Sequence, residues 1–213
     1  MRTTLIITTA TGDPLVANEQ RGGAGTGQLH AKRVEFLNDE ILPAGQKCGF
    51  DELIVSGRPH KSLRSDLGVV YHHVSPIRRD RSEALNIREQ ATRLSTGDIL
   101  VYSSDDHKLS ENFLSDMPEG DWDVLTPKRL NGSSGNEMNS GAPESKWFNY
   151  DGYSPAHCNV LKRRVWAKVP WTSIQRIEAW DIPISTKWKE AGFRLEWTDK
   201  IWAIDLEARE GEE

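Results

Sequence analysis

Two adjacent carboxylates, Asp105 and Asp106, follow the apolar run Ile99 to Tyr102 within STGDILVYSSDDHKLSENFL, residues 95–114. Acids that a buried strand delivers to the carboxyl edge of an open α/β sheet lie where such sheets bind ligands. Carboxylate oxygens there suit a hard divalent cation that also touches phosphate oxygens. The same dipeptide is also ordinary turn chemistry, because Asp side chains accept hydrogen bonds from nearby backbone amides. His107, next in the chain, is either a further ligand or a hydrogen-bonded histidine without a site role. Asp181 stands at the mouth of an apolar, helix-like segment and is either its N-cap or a second site acid.

These residues need a scaffold, and the pattern around them is one of alternating strands and helices. Thr3 to Thr9 reads as a first strand, broken at Gly12-Asp13-Pro14, and RGGAGTG (residues 21–27) as a loop. Leu29 to Leu42 carries Val34, Leu37 and Ile41 at helical spacing, with Pro43 and Gly45 closing it. Further strands are expected at Asp51 to Ser56, Gly68 to Val74 and Asp123 to Thr126, and another after His157. Helices are expected at Ser82 to Leu94, with Gly97 just beyond, and at Ile182 to Ala191, with Pro183 in the first turn and Gly192 at the end. Residues 131–145, NGSSGNEMNSGAPES, read as a mobile loop, either a lid or a tolerated insertion.

Composition narrows the class. With 213 residues, 37% hydrophobic and 28% charged, the chain fits one globular domain, and no apolar run of about 18 residues is present to cross a bilayer. A net charge of −5 argues against non-specific nucleic-acid binding as the main task. The basic clusters Arg78, Arg79, Arg81 and Lys162, Arg163, Arg164 read as solvated surface. Two cysteines imply no disulfide framework, so the cytoplasm is the expected compartment. All eight tryptophans lie beyond residue 120, where they form either core or a stacking surface for sugars or bases.

Four of these pieces, in this order, resemble the GT-A glycosyltransferases of the inverting family 2 type. The family's first-strand Pro-Thr-x-Asn corresponds to IITTAT, without the proline and asparagine, and puts Thr8, Thr9 and Ala10 at nucleotide contacts. Its second strand ends in nucleoside-binding acids, where this chain has Ser56, Gly57 and Arg58. The family's Ala-Arg-Asn-x-Gly helix, Ala-x-Gly-Asp turn and Asp-x-Asp strand look like ALNIREQATRLSTGDILVYSSDD, which brings Asn86, Gly97, Asp98 and Asp106 into register. Ser104 then replaces the first acid, Asp105 is the middle residue, and Asp106 is the principal metal ligand. The Glu-Asp sequence before a helix ending Ala-Gly-Tyr/Phe looks like EAWDIPISTKWKEAGFRL, so Asp181 is the general base and Trp180 stands in the Glu position.

The resemblance implies an α/β, GT-A-like fold with a mostly parallel central sheet, helices on both faces and an acceptor-side C-terminal region. Over the single domain of residues 1–206 that the chain length suggests, it implies a nucleotide-sugar half (1–106) and an acceptor half (107–206), and the polar, acidic stretch 207–213 reads as a flexible tail. The implied reaction is metal-assisted inverting transfer from a nucleotide sugar, with Mn²⁺ or Mg²⁺ at Asp106 and His107. Thr8, Thr9, Ala10, Arg58, Asn86, Ser104 and Asp105 are then donor-binding, and Trp180, Trp147 and Tyr153 acceptor-binding. The acceptor is left open among a glycan, a small molecule, a peptide and a hydroxymethylated DNA base of a phage, without membrane insertion. Two other readings stand beside it. One is a non-catalytic nucleotide-sugar or carbohydrate-binding protein of the same fold. The other is a sugar-phosphate nucleotidyltransferase, although GGAGTG (residues 22–27) comes late after the first strand for a phosphate cradle.

Overall fold

The structure is a computed structural model that describes residues 1–9, 26–74, 82–138, 158–174 and 181–207, without the side chains of 26–30, 82, 83 and 181. Strands β1 (Thr3–Thr9), β2 (Glu52–Gly57), β3 (Val69–His73) and β4 (Ile99–Ser104) alternate with helices α1 (Thr26–Glu35), α2 (Leu42–Lys47) and α3 (Ser82–Leu94). Then follow β5 (His107–Leu109), β6 (Val124–Asn131), β7 (Asn159–Lys162), α4 (Arg163–Lys168), α5 (Asp181–Glu190) and β8 (Leu195–Asp205). The eight strands form one sheet in the order β3-β2-β1-β4-β7-β6-β8-β5. Pairings β3-β2, β2-β1, β1-β4 and β6-β8 are parallel, and β4-β7, β7-β6 and β8-β5 antiparallel. The expected mixed, mostly parallel sheet is the observed one.

Alternation along the buried strands feeds two cores. Leu5 and Ile7 of β1, Leu53 and Val55 of β2, and Ile99 and Val101 of β4 pack with Leu37, Ile41 and Leu42 on one face. Ile6, Ile54, Leu100 and Tyr102 point the other way, onto Leu85 and Ala91 of α3 and Ile184 and Trp188 of α5. This is the period-2 signature of strands covered on both sides.

The helix expected to stop at Pro43 continues to Lys47, because a π-helical turn at Phe36–Ile41 separates α1 from α2. Pro43 thereby falls in the first turn of a new helix, where its missing N–H costs nothing. Gly45 lies against the sheet, where a Cβ would stand 2.8 Å from Leu5 Cδ2. Pro127 sits at the register shift between β6 and β8, a position where a strand tolerates proline.

Several surface readings change. Arg163 donates to Gly97 O at 2.5 Å and to Ser95 Oγ at 2.8 Å, which ties α4 to the turn before β4, whereas Arg164 donates to Asp123 Oδ1 at 2.7 Å and stays exposed, as expected. Trp171 and Trp188 are core residues at 1% exposure, stacked edge-on with each other and, through Trp171, with Tyr102. Residues 131–138, the described start of the expected mobile loop, form an ordered return in which Met138 N–H donates to Arg129 O and Asn131 N–H to Asn136 O. The remaining residues of that segment, and Arg78, Arg79 and Arg81, lie outside the described residues.

Gly97 sets the entry to β4. Its N–H donates to Thr4 Oγ1 at 3.0 Å, and a Cβ would lie 2.5 Å from Thr4 Oγ1 and 2.8 Å from Thr4 N. Backbone cannot retreat as a flexible side chain does, so Gly97→Ala is expected to cost about 2 kcal/mol through overpacking. A melting temperature lower by about 4–8 °C in a thermal unfolding scan is the expected result. An unchanged midpoint would show that the β1-β4 edge can spread.

Candidate functional site

Parallel pairing of β1 with β2 and β4 brings three strand ends to one edge. Thr8 lies opposite Ser104, and Thr9 opposite Gly57. Gly57 holds a positive φ of 123°, and a Cβ there would be 2.2 Å from Thr9 O, so only glycine lets β1 and β2 end this closely. The N–H of Arg58, a residue 8% exposed, donates to Thr9 O at 2.9 Å. The donor-site candidates Thr8, Thr9, Arg58, Ser104 and Asp105 therefore share one edge.

The acids follow in the turn between β4 and β5. Asp105 is almost fully buried; its Oδ2 accepts from Thr9 Oγ1 at 2.8 Å and its Oδ1 from Arg33 Nη1 at 2.7 Å. Asp106 is the more accessible of the two. Ser104 Oγ and His107 Nδ1 both hydrogen-bond Asp106 Oδ1, and Arg33 Nη2 reaches Asp106 Oδ2 at 3.1 Å. Burial would push the Asp106 carboxyl up, but hydrogen bonding to His107, the charges of His107 and Arg33, and Ser104 together hold it well below the usual carboxylate range.

His107, the second expected metal ligand, lies directly against Asp106. It is 4% exposed, and its Nδ1 is engaged by Asp106 and lies 2.9 Å from Ser104 Oγ. Its Nε2 faces Asp205 Oδ2 at 3.7 Å, and Asp205 also takes Arg129 Nη2. The Ser104 hydroxyl orients Asp106.

Two members of the cluster escape the sequence reading. Arg33, on α1, grips Glu207 through Nε (2.6 Å) and Nη2 (2.7 Å) while holding both aspartates. Glu207 is the first residue of the expected flexible tail, yet β8 pairs with β5 (His107 opposite Asp205), Leu206 N–H donates to Asp106 O at 2.8 Å, and Glu207 is thus carried to the site. Burial of the Arg33 guanidinium, which alone would lower its pKa, is outweighed by the Glu207 hydrogen bond and the surrounding carboxylates, which raise it far above its ordinary value. Residues 208–213 lie outside the described residues.

Other candidates are placed less tightly. Asn86 is half-buried on α3 and its Oδ1 accepts from Gln90 Nε2 at 3.2 Å, one turn along the same helix. Asp181 opens α5, with its side chain outside what is described, and Ala10, Trp147, Tyr153 and Trp180 lie outside the described residues altogether.

Among the described residues no three His, Cys, Asp or Glu side chains form a ready-made ion cage. The chemistry of the edge nevertheless suits a cation: hard carboxylate oxygens converge, and a guanidinium already stands between them. No helix among the described residues is long and apolar enough to cross a membrane.

No family model matches the sequence, and no curated protein does. Solved structures do match in shape. The mannosyltransferase PcManGT from Pyrobaculum calidifontis, in complex with GDP-Man and Mn²⁺, superposes with a TM-score of 0.58 at 15% identity, over 99% of this chain and 58% of that one. TarS 1–349 of S. aureus, in complex with UDP-GlcNAc, gives 0.58 at 13% identity over 100% and 60%. The fold is of the GT-A type. The inositol-1-phosphate CTP transferase of T. maritima also matches, at 0.53 and 12% identity, over 98% of this chain and 90% of that one. The chain spans about three fifths of the length of the GT-A glycosyltransferases it matches. At such identities the likeness concerns architecture, and the reaction has to be argued from the site.

Proposed function

We propose that this chain is a glycosyltransferase that moves a sugar from a nucleotide-sugar donor to an acceptor hydroxyl by inverting single displacement in the cytoplasm. One observation carries the reading: a cation-holding acid pair at the end of β4, beside the end of β1, on a fold shared with enzymes solved with GDP-Man and with UDP-GlcNAc. Mn²⁺ or Mg²⁺ would be held by Asp106 with Asp105 beside it, and when bound supplies Lewis-acid stabilisation for the leaving diphosphate.

The chain's own residues do the rest. Thr9 and Arg33 fix Asp105, while Ser104 and His107 fix Asp106, so its charge meets the donor without reorganising at the moment of reaction. Thr8, Thr9, Ala10 and Arg58 line the donor's nucleoside side, with Asn86 nearby on α3. Asp181, at the start of α5, accepts the proton from the attacking hydroxyl on the face opposite the leaving group. Trp180, Trp147 and Tyr153 form the acceptor platform.

The test is a panel of nucleotide sugars, each with Mn²⁺, scored by thermal unfolding. One donor class is expected to raise the melting temperature by several degrees through preferential binding to the native state, with the shift removed by a chelator. No shift from any donor at millimolar concentration would defeat the proposal. The CTP transferase neighbour, nearly the same length as this chain, favours a second reading, sugar-phosphate nucleotidyl transfer. Pyrophosphate release from a nucleoside triphosphate and a sugar phosphate would select it, and nucleoside diphosphate release would select glycosyl transfer.

A further inference from the structure

Arg33 faces three carboxylates, those of Asp105, Asp106 and Glu207, over distances of 2.6–3.1 Å. One guanidinium against three carboxylates, with His107 beside Asp106, leaves the cluster with more anions than cations. Asp205, just beyond, has its own partner in Arg129. A hard divalent ion requires the oxygens that Arg33 now holds, at roughly 2.0–2.2 Å rather than at hydrogen-bond length. The two cations compete for the same oxygens.

We propose that Arg33 is the internal counter-cation of this site: it holds the aspartates until a divalent ion replaces it, and the displaced guanidinium then pairs with the donor's diphosphate. This rests on the glycosyltransferase reading for its ligand and adds a donor-binding residue and a loading step to it. Geometry favours the exchange over simple coexistence. The planar fork takes both oxygens of Glu207 through Nε and Nη2, which leaves Nη1 and the second Nη2 hydrogen for the aspartates. Arg33 can therefore release Asp105 and Asp106 while Glu207 still restrains it, and it stays at the edge where a diphosphate oxygen arrives. Arginine is suited to both partners, since the same fork matches carboxylate and phosphate. The arrangement also couples loading to β8, because Glu207 follows that strand where it pairs with β5.

The experiment uses the full chain, Mn²⁺ alone, and then GDP and UDP in saturating Mn²⁺. Free Mn²⁺ is followed by electron paramagnetic resonance for wild type, Arg33→Gln and Arg33→Lys. Arg33→Gln is expected to bind Mn²⁺ at least tenfold more tightly than wild type and Arg33→Lys to an intermediate degree, and both to bind the nucleoside diphosphate about tenfold more weakly once the ion is saturating. Arg33→Gln, which leaves buried carboxylates without a cation, is expected to melt lower than wild type without Mn²⁺ and to recover more of its stability when Mn²⁺ is added. Arg33→Lys keeps a charge, so a folding defect in the first variant does not remove the test. Mn²⁺ affinity unchanged or weakened in both variants, with wild type binding the ion normally, would overturn the role of Arg33 alone. Uptake of Mn²⁺ by none of the three would overturn it together with the ion's place in the proposed function.

Discussion

Asp106→Asn is expected to lower sugar transfer by roughly 10²–10³-fold, the scale on which removing one preorganised electrostatic contact to a leaving group acts. The side chain keeps its shape and its oxygen toward Ser104 and His107, so what is lost is the charge and the acceptor facing Arg33. Its consequence for the fold is small by comparison, because Asp105, the more buried acid, retains Thr9 and Arg33. Nucleoside diphosphate release and a thermal melt on the same preparation separate the two effects. A turnover within about threefold of wild type, beside an unchanged melt, would remove Asp106 from the reaction. Asp105→Asn is the informative contrast: it breaks a buried ion pair, so stability should suffer first.

The second large effect belongs to Asp181. As general base it is worth about 10²–10⁴-fold, and Asp181→Asn should reduce kcat by that order while leaving donor affinity within about twofold. In the proposed function donor binding belongs to the β1, β2 and β4 ends, and Asp181 opens α5, an element anchored independently through Ile184 and Trp188. The split between kcat and donor affinity is therefore the signature. Equal weakening of donor binding would make Asp181 a cap or a donor contact, and wild-type turnover would end its role.

How far the sequence could be read depended on the range of the interactions concerned. Strand β1, helix α3 and strand β4 announce themselves through period-2 and helical spacing, and Gly97 through its position after a helix end, because each is decided by neighbours along the chain. The Asp105-Asp106 edge follows from β4 for the same reason. Pro43 misleads because the π-helical turn before it is a backbone feature with no residue signature of its own. Arg33 and Glu207 are 174 residues apart, and their meeting depends on β8 lying beside β5 at the far end of the sheet. Nothing local distinguishes Arg33 from Lys32, or Glu207 from the acids that follow it. Only the register of β5 against β8 does, and that register is a property of the folded sheet. Arg163 is a similar case, read as solvated surface because its partner, the Gly97 carbonyl, is distant in sequence.

Within SSDD the hydroxyl of Ser104 positions the last acid, Asp106. Two aspartates and Glu207 meet on one arginine, so the anionic edge draws its third carboxylate from the far side of the sheet.

The most direct measurement is the release of nucleoside diphosphate from whichever nucleotide sugar stabilises the protein, followed with and without Mn²⁺ and acceptor. A glycosyltransferase with its anionic edge at Asp105 and Asp106 should release it with Mn²⁺ present, faster with an acceptor hydroxyl, and lose most of that rate in Asp106→Asn. Tight binding of the same nucleotide sugar with neither transfer nor hydrolysis, whatever acceptor is supplied, would contradict it and leave a binding protein on a GT-A fold.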